Sequence, residues 1–220
     1  MVKPYYQDEW VTIYHGDCRE ILPELPKVDL VLTDPPYNVG KDYGLYKDNL
    51  PEPEYLEFIG AVIKEGGRLS NNNLAVYIGS EQIKKIWGLL PLAKLIVVEK
   101  RAMGVTKGKF ALQYHGLLTT ATPSNMVRDL WSDIRLPGEG YFFKEERFPT
   151  PGLTSATLFM RVISKFTETG QIVLDPFLGS GTTAYCAKKL NRKCIGIEIE
   201  EKYCEIAAKR CSQSVMRLDV

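Results

Sequence analysis

The stretch IVLDPFLGSGTT, residues 172–183, decides the fold. It begins as an apolar run, Ile172 to Leu174, which predicts a short buried strand. Two glycines, Gly179 and Gly181, follow before a helical pattern that starts near Thr183. Glycines at that place let the backbone approach a ligand at the start of a helix. A strand, a glycine turn and a helix in this order are typical of a nucleotide-type cofactor site.

The next strand along the chain carries an acidic residue at its end. The run Cys194 to Ile197 predicts a strand, and Glu198 follows about twenty residues after the glycine turn. An acid at this spacing can bind two ribose hydroxyls. The turn lacks the third glycine of the dinucleotide pattern and the lysine of a P-loop, which argues against both of those classes. A packing turn beside a surface glutamate stays open as the alternative.

Strand and helix patterns alternate along the 220 residues. This alternation predicts one α/β domain over residues 1–220, an open and mostly parallel sheet with helices on both faces. The predicted strands cover residues 28–33, 74–78, 95–98, 116–120, 172–174 and 194–197. Helical faces are predicted around 55–63, ending near Gly66-Gly67, and around 83–90 after a cap at Ser80, 159–166, 183–190 and from Glu201 onward.

A second motif, Asp34-Pro35-Pro36-Tyr37, follows the apolar run that ends at Thr33. An amino group on a heteroaromatic ring is a poor nucleophile, because its lone pair is delocalised into the ring. The carboxylate of Asp34 and the carbonyl of Pro35 could accept its two hydrogens and free that lone pair. Tyr37 offers a flat face on which a base can stack. An ordinary Pro-Pro turn capped by aspartate explains these four residues equally well.

Taken together, the two motifs resemble those of the amino-group DNA methyltransferases. The catalytic motif comes first and the cofactor motif last, as in the beta group, whose fold is a circularly permuted, Rossmann-like methyltransferase fold. Residues 12–120 and 155–211 carry the resemblance, including Gly16-Asp17-Cys18, the stretch 191–198 and Arg210. One departure is residues 150–155, which keep only the first proline of the His-Pro-x-x-Lys-Pro stretch that family members usually carry.

The resemblance implies S-adenosylmethionine as cofactor and double-stranded DNA as substrate. It implies methylation of the N6 amino group of adenine after the base is flipped out of the duplex. The catalytic residues it implies are Asp34, Pro35, Pro36 and Tyr37. The cofactor-binding residues it implies are Asp17, Asp175, Phe177, Gly179, Ser180, Gly181, Thr182 and Glu198.

Several other functions remain open at this point. Methylation of the cytosine N4 amino group uses the same chemistry, although a serine in place of Asp34 is the commoner form there. Relatives that methylate RNA or protein glutamine usually carry Asn at that place and the cofactor motif first. An inactive S-adenosylmethionine-binding subunit should have lost Asp34 or the glycines, and neither is lost. A nucleotide-binding oxidoreductase is disfavoured by the missing third glycine.

The periodicity breaks down between residues 121 and 150, which predicts a small irregular lobe that reads the DNA sequence. Residues 100–147 are mildly basic, with Tyr141, Phe142 and Phe143 interleaved. Such a surface could follow phosphates and wedge the duplex, and a solvated lobe of mixed charge is the alternative. The candidate DNA-binding residues are Lys107, Lys109, Arg128 and Arg135.

The remaining expectations concern location and partners. A net charge of +1 requires any DNA-binding surface to be local, and no apolar run reaches membrane-spanning length, so a cytoplasmic protein is expected. The five cysteines form no CxxC pair, which predicts buried free thiols and no metal site. The sequence leaves open the recognition sequence, the effect of residues 150–155, the existence of a restriction partner, and whether a homodimer forms.

Overall fold

The computed structural model describes residues 2–43, 46–105, 111–132 and 156–213. The strands are β1 (Tyr6–Gln7), β2 (Val11–His15), β3 (Leu30–Thr33), β4 (Asp42–Tyr43), β5 (Tyr46–Lys47), β6 (Leu74–Gly79), β7 (Lys94–Val105), β8 (Ala111–Thr119), β9 (Leu130–Trp131), β10 (Ile172–Asp175) and β11 (Lys193–Glu198). The helices are α1 (Cys18–Ile21), α2 (Glu52–Ser70), α3 (Ile83–Trp87), α4 (Ala156–Phe166), α5 (Thr182–Lys189) and α6 (Glu201–Ser212), with short 3₁₀ turns at Leu22–Glu24 and Ser80–Gln82.

Nine of these strands form one sheet in the order β1-β2-β11-β10-β3-β6-β8-β7-β9. The five strands from β2 to β6 in that order are parallel to their neighbours. Strand β8 then pairs antiparallel with both β6 and β7, and β1 pairs antiparallel with β2. The predicted open and mostly parallel sheet is therefore confirmed.

Helices cover both faces of the sheet, each over its own hydrophobic cluster. One cluster joins the sheet to α4, α5 and α6 through residues such as Phe159, Ala187 and Cys204. The other joins it to α1, α2 and α3 through residues such as Ile21 and Ile59. All five cysteines are buried thiols outside any disulfide, which confirms the predicted buried thiols. They fill space in the core as small apolar side chains.

Gly66 and Gly67 lie near the end of α2, as predicted, but they do not terminate it. The helix does not end at Gly66-Gly67 but continues to Ser70, where Asn71 takes a left-handed conformation. A Cβ on Gly66 would lie 3.3 Å from Leu74 Cδ2, so this glycine lets the helix pack close to the sheet. Similarly, Ser80 begins a 3₁₀ turn rather than capping a long helix, and α3 is only five residues long.

The described part of the predicted recognition lobe, residues 121–132, is irregular except for β9. Strand β9 pairs with β7 at the edge of the sheet, and the N–H of Val97 donates to the carbonyl of Asp129 at 2.7 Å. Residues 133–150 lie outside the described part of the chain. Within the described residues, no helix combines the length and apolar character that a membrane span requires.

Candidate active site

The two sequence motifs lie at the ends of two adjacent strands, β10 and β3, whose connections pass to opposite sides of the sheet. From β10 the chain passes through α5 to β11, and from β3 it passes through α2 to β6 on the other side. Ligands in open α/β sheets bind at such a switch point, outside the carboxyl ends of the strands. Asp34 follows the end of β3, and Asp175 is the last residue of β10. The fold therefore brings both motifs to one cleft.

Asp34 and Tyr37 are partly exposed and contact each other. The hydroxyl of Tyr37 donates to Oδ1 of Asp34 at 2.6 Å. The Tyr37 ring lies near the end of β6, since a Cβ on Gly79 would be 3.5 Å from Tyr37 Cε2. Pro35 is buried, and the carbonyl of Pro36 accepts from the hydroxyl of Tyr55 at 2.9 Å. The motif thus presents a carboxylate and an aromatic face on a backbone that α2 supports.

The loop after Tyr37 depends on two residues that the sequence reasoning missed. Buried Asp48 accepts from the backbone N–H groups of Asn38, Val39 and Lys41 at 2.7, 3.0 and 3.0 Å. The side chain of Asn38 pairs reciprocally with the backbone of Leu50, at 2.7 Å in each direction. Asn38 takes a positive φ of 56°, which asparagine tolerates better than most residues. An asparagine directly after Tyr37 was the available signal.

The two glycines of the cofactor motif face different surroundings. Gly179 has φ +54°, and a Cβ there would have nothing within 4 Å. Gly181 has φ +84°, and its Cβ would lie 2.8 Å from the Cβ of Ala207 in α6. Gly179 therefore leaves open space beside the turn, whereas Gly181 lets α6 pack against it. Both glycines were expected to face a ligand. Gly179 leaves room for one, whereas Gly181 faces α6.

Glu198 holds the glycine turn from the end of β11. Its carboxylate accepts from the N–H of Gly179 and from the N–H of Glu200, each at 2.8 Å. The side chain is only 8% exposed, and burial raises the pKa of its carboxyl group. A carboxylate fixed beside the open side of the turn suits ribose hydroxyls, which donate hydrogen bonds.

Asp175 lies beneath the same turn rather than on its open side. It is 2% exposed, and its Oδ1 accepts from the Thr33 hydroxyl at 2.8 Å and from the Phe177 N–H at 3.1 Å. Its Oδ2 accepts from the Thr183 hydroxyl. Burial raises the pKa of Asp175 to about 6, against which these hydrogen bonds act. The geometry favours an indirect role in cofactor binding, through the position of the turn.

Ser180 and Thr182 are buried in the turn and contact Arg210 of α6. The guanidinium of Arg210 donates to Thr182 Oγ1 at 3.1 Å and to the carbonyl of Ser180 at 3.5 Å. Its Cζ lies 4.7 Å from the centre of the Tyr185 ring. Arg210, which the sequence resemblance also includes, therefore satisfies polar groups of the turn from a neighbouring helix.

Asp17 and Phe177 lie at the two ends of a chain of contacts. Asp17 caps α1 and forms a 2.5 Å ion pair with Arg19, whose hydrogen bonds hold the pKa of that carboxyl below its usual range. The Arg19 guanidinium stacks 5.1 Å from the centre of the Phe58 ring. Phe58 meets Phe177 edge to face at 5.7 Å. This chain of contacts links the region of Asp17 to the glycine turn.

The described residues fit a cofactor with a ribose and an aromatic ring. Open space at Gly179 and the ring of Phe177 lie on the glycine turn, and the carboxylate of Glu198 is fixed against this turn from the end of β11. Among these described residues, no three His, Cys, Asp or Glu side chains cluster as metal ligands. Of the predicted DNA-binding residues, Arg128 is exposed, and Lys107, Lys109 and Arg135 lie outside the described residues.

Comparison with known proteins relates this site to one family. The profile of the N6/N4 DNA methylases matches residues 28–103 and 81–209. The type II methyltransferase M.HpaI of Haemophilus parainfluenzae is 32% identical over 213 residues, covering 83% of this chain and 68% of that protein. The DNA adenine methyltransferase YhdJ of Escherichia coli (strain K12) is 26% identical over 247 residues, covering 93% and 84%.

Solved structures agree with this relationship. The complex of M1.HpyAVI with S-adenosylmethionine has a TM-score of 0.66 and 27% identity, covering 92% of this chain and 99% of that one. The cytosine-N4-specific PvuII DNA methyltransferase has a TM-score of 0.77 at 20% identity, covering 95% and 89%, and this likeness shows the fold alone. The chain therefore belongs to the N6/N4 DNA methylase family, and its cofactor is S-adenosylmethionine.

Proposed function

We propose that this DNA methyltransferase transfers a methyl group to the N6 amino group of adenine. The observation that carries the proposal is the position of Asp34. Its half-buried carboxylate stands at the carboxyl end of β3, at the switch point where the glycine turn also lies. A hydrogen-bond acceptor is thereby held beside the cofactor turn, where an amine must be oriented for direct transfer.

The chemistry needs an acceptor for the amine and no covalent intermediate. The Asp34 carboxylate and the Pro35 carbonyl accept the two amine hydrogens, which turns the nitrogen lone pair toward the methyl group. A carboxylate oxygen can accept more than one hydrogen bond, so Asp34 can bind the amine and keep its bond from Tyr37. When bound, S-adenosylmethionine would supply the methyl group: a carbon–nitrogen bond forms as the carbon–sulfur bond breaks, a neutral thioether leaves, and one amine proton is released to solvent. Orientation and these preorganised acceptors account for most of the rate.

The roles of the other site residues follow from their surroundings. Glu198 would bind the ribose hydroxyls of the cofactor, and Asp17 would contact its adenine ring. Gly179, Ser180, Gly181 and Thr182 shape the turn against which the cofactor lies, with Phe177 beside it. Tyr37 stacks on the flipped base, because its partly exposed ring adjoins Asp34.

The choice of adenine rests on the residue at position 34. Aspartate is the form expected for adenine, and serine the commoner form for cytosine. The relationship to YhdJ, named as an adenine methyltransferase, supports the same choice. Cytosine N4 is the second candidate, because the family covers both bases and the cytosine-N4-specific PvuII enzyme has the same fold.

DNA recognition is assigned to the edge of the sheet and the segment beyond it. In the sequence, Lys107 and Lys109 follow β7, and Arg128 and Arg135 precede and follow β9. We assign the two lysines to phosphate contacts and the two arginines to base contacts. The region 121–150 would then position the duplex so that the target base reaches Asp34.

Product analysis tests the proposed reaction directly. Unmethylated genomic DNA is incubated with the protein and S-adenosylmethionine labelled in the methyl group, and then digested to nucleosides. We expect label in N6-methyladenine, and none when Asp34→Ala replaces the wild type. Label in N4-methylcytosine would establish the second candidate instead, and label in neither nucleoside would exclude both.

A further inference from the structure

A buried hydrogen-bonded bridge joins the catalytic strand to the cofactor turn. Thr33, the residue directly before Asp34, donates its hydroxyl to Asp175 Oδ1 at 2.8 Å. Thr183, in the first turn of α5, donates its hydroxyl to Asp175 Oδ2. All three side chains are at most 4% exposed. One carboxylate therefore receives a hydroxyl from each of the two motifs, and water does not compete for it.

The bridge stands where the backbone ladder between the two strands stops. Strands β3 and β10 pair at Leu30 with Val173 and at Val31 with Leu174. On its other side, β3 pairs with β6 as far as Thr33 with Val76. The end of β3 is thus held to β6 by backbone hydrogen bonds and to β10 by the Thr33 side chain. The Thr33 side chain therefore links β3 to β10 at the end of the strand that leads into Asp34.

We propose that Thr33 is a positioning residue for methyl transfer, acting through Asp175 and Thr183. The inference rests on the proposed role of Asp34 as acceptor of the target amine. Because Thr33 and Asp34 are adjacent, a hydroxyl bond at Thr33 fixes the distance between the acceptor and the cofactor turn. Hydrogen bonds to a carboxylate are short and stronger than neutral ones, so this link is stiff.

The bridge also connects the glycine turn to the loop after β3, which carries Asp34. Phe177 donates its N–H to the same Asp175 oxygen that accepts from Thr33. A cofactor that orders the glycine turn therefore orders Asp175, and through it the end of β3. A misplacement of about 1 Å at a reacting group can cost on the order of 100-fold in rate. We expect the loss of the Thr33 hydroxyl to slow transfer without weakening cofactor binding.

The test compares Thr33→Val and Thr33→Ser with a matched control, Thr119→Val. Thr119 is equally buried, and its hydroxyl donates to the Leu74 carbonyl at 2.8 Å, away from both motifs. We expect Thr33→Val to lower the single-turnover methylation rate about tenfold, with the S-adenosylmethionine Kd changed less than about threefold. Thr33→Ser should stay within about twofold of wild type, as should Thr119→Val despite a similar loss of stability.

Two further measurements protect the test against a simple folding defect. Rates are compared at equal folded fraction, and a double-mutant cycle of Thr33→Val with Thr183→Val should be non-additive, because both hydroxyls share Asp175. Amide hydrogen exchange of residues 33–41 should slow on addition of S-adenosylmethionine in the wild type and less in Thr33→Val. Thr33→Ser as slow as Thr33→Val, or a Thr33→Val rate equal to that of Thr119→Val, would overturn the proposal.

The exchange measurement needs only the cofactor and no target base. If the wild type methylates cytosine or no base, the proposed adenine activity fails, and the exchange result still decides the bridge. An absence of cofactor-induced protection in residues 33–41 of the wild type would reject the coupling, even when adenine methylation is found.

Discussion

The loop after β3 and the turn after β10 lie side by side, yet their polar side chains find partners in different places. In the first, Asp34 and Tyr37 are half exposed and bond to each other. In the second, Asp175 and Thr182 are buried and bond to Thr33 and Arg210 of other elements, and the buried Glu198 of β11 accepts from the N–H of Gly179. The first loop leaves two polar side chains partly exposed, whereas the polar side chains of the second are buried in contacts with the rest of the fold.

This difference predicts how substitutions in the two loops will divide between activity and stability. A residue whose partners are local and partly exposed can be removed at little cost to folding. A buried polar residue that bonds to several elements leaves unsatisfied groups when it is removed, at about 1–3 kcal/mol for each. The β3 loop should therefore yield active-site variants that fold, and the β10 turn variants that fold poorly.

The largest effect is expected for Asp34→Ala. The methylation rate should fall about a thousandfold, equivalent to about 4 kcal/mol of transition-state stabilisation. The S-adenosylmethionine Kd and the unfolding temperature should barely change, because the carboxylate is partly exposed and Tyr37, which donates to it, lies in the same loop. Single-turnover kinetics and isothermal titration measure the two quantities. A variant that keeps more than about a tenth of the wild-type rate would show that the role of Asp34 is wrong.

The two glycines of the turn after β10 should differ in the same way, Gly181 affecting mainly stability and Gly179 mainly cofactor binding. Gly181→Ala should cost about 3 kcal/mol of unfolding free energy, because its Cβ meets Ala207 at a positive φ. Gly179→Ala should cost only about 1 kcal/mol, since its Cβ meets no protein atom, and should instead weaken cofactor binding about tenfold or more. Urea denaturation and isothermal titration separate the two. Equal losses of stability would contradict the division.

A pH titration sharpens the contrast through Asp175. Burial raises the pKa of its carboxyl from 3.8 to about 6 in the folded protein. Between those values the folded state holds a proton that the unfolded chain has lost, so stability falls as pH rises through this range. Asp175→Asn cannot titrate. The unfolding free energy of the wild type relative to this variant should therefore fall by up to about 3 kcal/mol from pH 4 to 7.

Subtraction of the variant is needed because burial also raises the pKa of Glu198. The Glu198 carboxyl also makes stability fall as pH rises. Because it is present in both proteins, the subtraction removes most of its contribution. Urea denaturation at several pH values gives the two curves. Parallel curves for wild type and Asp175→Asn would mean that Asp175 titrates normally.

Much of this architecture could be predicted from the sequence, because the determining signals are local. An apolar run that ends in Asp-Pro-Pro or in a glycine turn marks a buried strand and its end, and β3 and β10 lie where these signals place them. The acid at position 198 likewise ends β11. Parallel strands bring such ends together at one edge of the sheet, which is why two distant motifs define one site.

The rest depends on contacts between distant residues. Nothing around Gly66 shows that it packs against the sheet rather than ending a helix. The partners of Asp175, among them Thr33 at 142 positions away, become visible only when the strands are adjacent. Asp48 reads as an ordinary surface acid, yet it is buried and holds the loop after Tyr37. The short strands β1 and β9 carry too few residues for a periodicity to show.

The smallest effects are expected in a third loop, which precedes β9 at the edge of the sheet. Arg128 is exposed and precedes β9, whose pairing with β7 fixes the chain at Asp129 and beyond. A flexible charge on a fixed strand can reach base edges without disturbing the fold. Arg128→Ala should therefore lower the preference for the cognate site by about 1–3 kcal/mol, and leave stability, cofactor affinity and nonspecific binding unchanged.

Lys107→Ala and Lys109→Ala are the matched comparison: they should weaken binding to all sequences alike and flatten its salt dependence. Competition binding with cognate and scrambled duplexes over a range of salt concentrations separates the two patterns, once methylation mapping has identified the site. Arg135→Ala is expected to follow Arg128→Ala. An unchanged specificity ratio in both arginine variants would place sequence recognition outside this loop.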